Sequence, residues 1–216
     1  MIRIACLHTA RTNIAVFDSA MVSAGLKDVV LAHAVREDLL AAAEREQCLT
    51  AETMRETVEA LTQLCVGADA VLLTCSTLGK AAELAATDAT VPVLRVDAAL
   101  AAEAVKDGGR VVVLCAVETT MEPTRDLFET FASATGAEVT VRLAPGAWAA
   151  FKAGLQGRYL DMIAEAARQA QIEGATTVAL AQASMAGACA LFPREERPLS
   201  SPAAGLLAAV RAVKAD

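Results

Sequence analysis

Aromatic residues make up only 3% of the 216 residues, with a single Trp and a single Tyr, so the core of this protein cannot rest on stacked rings. It must be built from Ala, Val and Leu, as when helices pack closely on sheets. Clustered basic residues are missing too. With a net charge of -7 and no run of Lys and Arg, the chain has no stripe able to neutralise a phosphate backbone, which excludes nucleic acid as a partner. The six cysteines are scattered without a CxxC pair, so neither a disulfide framework nor a zinc knuckle is expected. They read as reduced thiols of a cytoplasmic protein. No GxGxxG or phosphate loop occurs, and His, Cys and acidic residues fall at no recognisable ligand spacing, so no cofactor and no metal are expected. No apolar window is long enough to span a bilayer, and "MIRIACLH" enters a β-like run without a leader pattern, so no membrane association is expected.

What is present is a regular alternation. "IRIACL", "DVVLAHAV", "DAVLLTC", "VPVLRV", "RVVVLCA", "AEVTVRL" and "TTVALAQ" are continuous apolar runs of the kind that form buried parallel strands. Amphipathic or alanine-rich stretches separate them, several closing on Gly, the usual helix stop. This order predicts an α/β protein. A duplication shows as well: "RIACLHTARTN" is echoed by "RVVVLCAVETT", and "GADAVLLTCSTLG" by "GATTVALAQASMAG". The expected architecture is two pseudo-symmetric lobes, each a parallel sheet flanked by helices, with the ligand cleft between them. The lobes are drawn at 1–97 plus 203–216 and at 98–202, the helix "PAAGLLAAVRAV" returning to the first.

Superposing the echoes sets Cys75 opposite Gln182, each at the carboxyl end of a strand, where ligands bind in open α/β sheets. Ser76 or Thr77 is expected to cap the helix that follows Cys75. Free N–H groups and the helix dipole there favour either a thiolate or a bound carboxylate. The alternative is that Cys75 is a buried small hydrophobe. Cys6 and Cys115 read as strand residues, Cys48, Cys65 and Cys189 as helical ones, and packing accounts for these five. His8 and Thr9 end the first strand, while His33 lies inside an apolar run and reads as structural.

"LLTCSTLG", "VPVLRVDAALAAEAV", "ETTMEPT" and "PLSSPAAGLLAAV" together resemble segments of the aspartate/glutamate/hydantoin racemase superfamily, along essentially the whole chain. The resemblance implies a cofactor-independent isomerase acting at the carbon α to the carboxylate of a small amino acid or related acid. In such enzymes one thiol removes the proton and a second returns one on the opposite face. Cys75 matches the first thiol. Gln182 stands where the second would be, and a primary amide is no base at neutral pH, so the chain departs from the symmetric two-thiol pattern.

The resemblance also implies catalytic roles for Cys75 and for His8 as its proton partner, His8 being otherwise a loop histidine. Substrate-binding positions carried over are Thr9, Asn13, Ser76, Thr77, Thr119, Thr120, Gln182, Ala183 and Ser184, with Thr119 and Thr120 matching hydroxyls that hold a carboxylate. Ser184 and Cys189 are the residues considered as substitutes for the missing thiol. Two other outcomes stay open. One is a one-thiol decarboxylase or lyase of the arylmalonate decarboxylase type, which protonates an enediolate on one face. The other is a carboxylate-binding descendant without turnover. The expected partner is a small carboxylate substrate, and alanine-rich helix faces agree with a homodimer.

Overall fold

In the computed structural model, which describes residues 1–215, apolar runs become strands and the stretches between them helices. The first half carries β1 (Ile2–His8), α1 (Asn13–Ser23), β2 (Val29–Val35), α2 (Glu37–Glu46), α3 (Ala51–Leu64), β3 (Ala70–Leu73), α4 (Gly79–Ala86) and β4 (Val93–Arg95). After α5 (Val96–Val105) come β5 (Arg110–Cys115), α6 (Met121–Ala132), β6 (Glu138–Leu143), α7 (Ala147–Lys152), α8 (Gln156–Ile172), β7 (Thr177–Leu180), β8 (Leu199–Ser200) and α9 (Ser201–Ala215). All seven apolar runs hold a strand. The two-residue β8 is announced by no such run, because it is shorter than any periodic signal.

Every strand pairing is parallel. The strands form two sheets of four with the same order, β2-β1-β3-β4 and β6-β5-β7-β8. The register repeats as well: Leu7 pairs with Leu73 in the first sheet as Leu114 pairs with Leu180 in the second. The same shift along the chain carries Cys75 onto Gln182. The chain divides into two compact units, Met1–Ala99 with the segment from Pro202 onward, and Leu100–Ser201.

Each unit has its own apolar core. In the first, Ala5, Leu7, Val71 and Leu73 project from one sheet face onto Leu39 and Ala43 of α2, Ala60 and Leu61 of α3, and Ala82 and Ala85 of α4. Buried Thr53, Thr57, Ala60 and Leu61 recur on one face of α3, as helical periodicity requires. The Thr50 side chain caps that helix, its Oγ1 accepting from the Thr53 N–H at 3.2 Å. In the second unit Val112, Leu114, Val178 and Leu180 pack on Tyr159, Ile163, Ala164, Ala167 and Ala170 of α8. Small side chains on that helix let it sit close to the sheet.

Close approach decides one glycine. A Cβ on Gly205 of α9 would stand 2.6 Å from Val96 Cγ1 and 3.1 Å from its Cβ, and a β-branched side chain has little freedom to yield. On an exposed helix, Gly→Ala gains about 1 kcal/mol from propensity. Here overpacking outweighs it, so Gly205→Ala lowers unfolding stability by about 1–3 kcal/mol. Urea titration checks the sign, and a higher midpoint for the variant would show that α9 stands clear of Val96.

Candidate active site

Cys75 follows β3 by two residues and opens a single 3₁₀ turn, Ser76–Leu78, before α4 begins at Gly79. The expected cap does not form. Neither Ser76 nor Thr77 caps α4: the preceding residue is Leu78, without a side-chain bond, because the intervening turn moves the helix start past both hydroxyls. The thiol therefore meets the 3₁₀ turn rather than the end of a full helix. It is 9% exposed and belongs to the apolar cluster of Ala5, Leu7, Val71 and Leu73.

Burial pushes the Cys75 thiol up from its ordinary value. Hydrogen bonds from the Thr9 side chain, the backbone N–H groups of Leu78 and Thr77, and the Thr77 side chain act in the opposite direction and do not overcome it. The expectation of a ready thiolate is thus corrected: at rest the group is a neutral thiol surrounded by donors that would stabilise the anion once formed. Thr9, the residue that follows β1, is itself buried at 8% exposure. Ser76 is half-buried and Thr77 exposed.

His8 does not fill the role assigned to it. Strand side chains alternate, so Leu7 and then Thr9 lie on the Cys75 side of the sheet, and His8 faces the other. Its Nδ1 lies 2.9 Å from Thr74 Oγ1 and its Nε2 2.9 Å from His33 Nδ1, while its ring tilts against Phe17 at 5.2 Å. His33 Nε2 in turn lies 3.2 Å from Asp18 Oδ1. Burial first, and then the neighbouring His33, hold the His8 imidazole down near a pKa of about 4, so His8 is neutral at pH 7. On the same face, burial and the Asp18 charge push the Cys6 thiol up to about 12. Asn13, half-buried, starts α1, and its backbone N–H donates to Ala10 O at 3.1 Å.

In the second unit Gln182 occupies the position equivalent to Cys75, in extended backbone before a 3₁₀ helix over Ala183–Leu191. Its amide is largely spent on its own unit. Gln182 Oε1 accepts from the Ala116 N–H at 2.8 Å, and Nε2 donates to Thr120 Oγ1 at 2.8 Å. Thr120 gives its hydroxyl proton to Val117 O at 2.7 Å. Thr119 is exposed beside it. Both residues considered as substitutes for the second thiol are bonded within their own unit. Ser184 Oγ pairs with the Tyr159 hydroxyl at 2.9 Å, and burial pushes that phenol up to about 12, so it is no base. Cys189 Sγ donates to Pro198 O at 3.3 Å. Ala183 is buried.

Sequence reasoning missed Thr74, which precedes Cys75 in the chain but holds His8 on the opposite face, and it set His33 aside. The signal was available in the spacing: Cys6 and His8 share a strand face, and the buried run containing His33 is the neighbouring strand. Cys48 is likewise corrected, since it lies in a bend beyond α2 and is exposed. Two shallow surface depressions, one bordered by Glu129, Ser133 and Val139 and the other by Ala86, Thr90 and Val93, include none of these residues.

Iodoacetamide labelling across a pH series, mapped by mass spectrometry, gives Cys75 a midpoint above the ordinary value of about 8.5, and Thr9→Val moves it higher still. Exposed Cys48 serves as the internal reference. Fast labelling of Cys75 at neutral pH would contradict the desolvated, neutral thiol.

No family model matches the sequence, and no curated protein matches it. Solved structures do. An allantoin racemase from Pseudomonas fluorescens superposes with TM-score 0.67 at 14% identity, covering 99% of this chain and 92% of that one. An aspartate racemase from Picrophilus torridus gives 0.69 at 10% identity over 99% and 95%. A glutamate racemase isoform from Bacillus anthracis gives 0.66 at 14% over 99% and 82%. With its twice-repeated four-stranded parallel sheet, the chain shares the fold of these allantoin, aspartate and glutamate racemases.

Proposed function

We propose that this protein is a cofactor-independent, racemase-like enzyme acting at the carbon α to the carboxylate of a small amino acid or related acid, with Cys75 as the acid/base. The observation that carries the reading is the position of Cys75 at the carboxyl end of β3, surrounded by the Thr9 hydroxyl and the N–H groups of Thr77 and Leu78. Those donors hold the thiolate that remains when the thiol gives up its proton, and they lose little in reorganising because the turn is already formed. In the racemase reading the α C–H bond breaks, the electron pair spreads into the carboxylate as an enediolate, and a proton delivered to the opposite face closes the new C–H bond. Cys75 serves one face of that carbon.

The residues equivalent to a second thiol favour another reading. Gln182 has no usable basicity, its amide is tied to Ala116 and Thr120, and Ser184 and Cys189 are bonded elsewhere. A neutral thiol without a partner base is suited to one-face protonation. Loss of CO2 from a malonate-type acid leaves an enediolate, the Cys75 S–H bond breaks as the C–H bond forms, and solvent returns the proton to sulfur. A carboxylate binder without turnover is the remaining outcome.

Among the described residues no helix is long and apolar enough to cross a membrane. All six cysteines are free, and the same reading puts the protein in a reducing cytoplasm, as a homodimer.

The test is incubation in D2O with each enantiomer of aspartate and glutamate, and separately with phenylmalonate, followed by NMR and chiral chromatography. The racemase reading expects α-deuterium in both enantiomers of one substrate. One-face chemistry expects a single deuterated enantiomer of phenylacetate in the prochiral sense, or exchange of one enantiomer only. In either case Cys75→Ala lowers the rate by about 10²–10⁴-fold, the usual contribution of a general acid/base. Retention of full activity by Cys75→Ala would exclude both, and binding without exchange would identify the binder.

A further inference from the structure

One cluster in the first unit has no part in the reaction above. Cys6 and His8 lie two residues apart on one face of β1, and Cys6 is the direct register partner of His33 on β2. Sγ, Nε2 and Nδ1 of the three therefore converge, with their ligand atoms within 4.8 Å of one another. Cys6 and His8 are fully buried.

Counting protons shows what this cluster lacks. Thr74 Oγ1 donates to Leu7 O at 3.0 Å, so it accepts from His8 Nδ1–H, which leaves His8 Nε2 with a lone pair. At the far end, the Asp18 carboxylate only accepts, so His33 carries its proton on Nε2. With one proton on Nε2, the His33 ring presents a second lone pair from Nδ1, 2.9 Å from the first. Two lone pairs at that distance need a positive centre between them, either a further proton or a cation. The Cys6 sulfur, within 4.8 Å of both nitrogens, is the third donor.

The fold itself does not call for polar groups here. The register shift that relates the two sheets carries Cys6, His8 and Thr74 onto Val113, Cys115 and Ala181, and Val113 pairs with Val141 where Cys6 pairs with His33. Val113, Cys115 and Val141 are all buried, so the second unit fills the equivalent space without an imidazole. Burying two imidazoles against each other costs free energy that an apolar set avoids.

We propose that Cys6 Sγ, His8 Nε2 and His33 Nδ1 bind one divalent transition-metal ion of the Zn²⁺ type, with Asp18 and Thr74 orienting the two imidazoles. The donor set is borderline-soft nitrogen and sulfur, as such ions prefer, and three protein ligands leave a fourth position for water. Each histidine passes its other ring N–H to an oxygen acceptor, the arrangement that fixes the tautomer of a metal-bound imidazole. Zn–N bonds of about 2.0–2.1 Å at a tetrahedral angle place the two nitrogens about 3.3 Å apart, a few tenths of an ångström beyond their present contact. Binding displaces the thiol proton of Cys6 to solvent and forms the metal–sulfur bond. Entry lies past Asp18, which is 53% exposed, beside a His33 side chain that is 14% exposed.

The test is titration of chelator-treated protein with Co²⁺ alone, read by the near-ultraviolet thiolate-to-cobalt band and the visible bands of a tetrahedral ion. One equivalent is expected to saturate both, and Zn²⁺ is expected to displace the cobalt and raise Tm. Cys6→Ser loses the near-ultraviolet band. His33→Gln, at the more accessible edge, weakens binding at least tenfold while Cys75→Ala leaves the spectrum unchanged. The cobalt spectrum is independent of the proposed reaction, so the failure of one does not touch the other. A wild-type protein with no thiolate band at excess Co²⁺ would overturn the proposal and assign the bridging charge to a second proton on His33. A band that survives Cys6→Ser would do the same by moving the ligand to another thiol.

Discussion

The arrangement of this protein's chemistry depends on the two-residue period of a β-strand. At the carboxyl ends of β1 and β3, alternation sends Leu7, Thr9 and Cys75 to one face of the sheet and Cys6 and His8 to the other. The two faces then have different characters. One presents a thiol in an apolar setting, with a hydroxyl and backbone N–H groups around it. The other collects two imidazoles, a second thiol and a carboxylate in a row that ends at the surface. A residue one position away in sequence is on the far side of a sheet, which is why His8, next to Thr9, is no partner of Cys75.

The second unit shows how one substitution changes a strand end. Gln182 holds the backbone N–H of Ala116 on one side and the hydroxyl of Thr120 on the other, joining the ends of β5 and β7 to the turn after β5. Its equivalent in the first unit, Cys75, meets Thr9 in the position of Ala116. The same backbone thus supports a buried thiol in one unit and an amide that fastens loops in the other. Hydrogen-bond saturation, rather than distance alone, separates the two roles: a hydroxyl or amide whose donors are already placed has none to offer an incoming carboxylate.

Desolvation acts on both thiols of the first unit and in the same sense. Cys6 is raised to about 12 by burial and by Asp18, and Cys75 is raised by burial against four hydrogen bonds. For Cys75 those bonds favour the thiolate and partly offset the burial. For Cys6 no such donors compensate, and only a cation would make its thiolate favourable. Proximity to a strand end does not by itself activate a cysteine; what its neighbours donate does.

Much of the architecture is legible in the linear pattern. Seven continuous apolar runs mark the long strands, and the echo of "GADAVLLTCSTLG" in "GATTVALAQASMAG" foretells the repeated sheet order and the equivalence of Cys75 and Gln182, because burial on both faces leaves a run that needs no partner to be recognised. The candidate thiol follows from the same pattern. What only the tertiary structure decided is which groups meet. The 3₁₀ turn that separates Ser76 and Thr77 from the start of α4, the pairing of Thr120 with Gln182, and the meeting of His8 with His33 all depend on loop geometry and on register between strands distant in sequence. Periodicity places each side chain on a face, and only the packed sheet says which other residues share it.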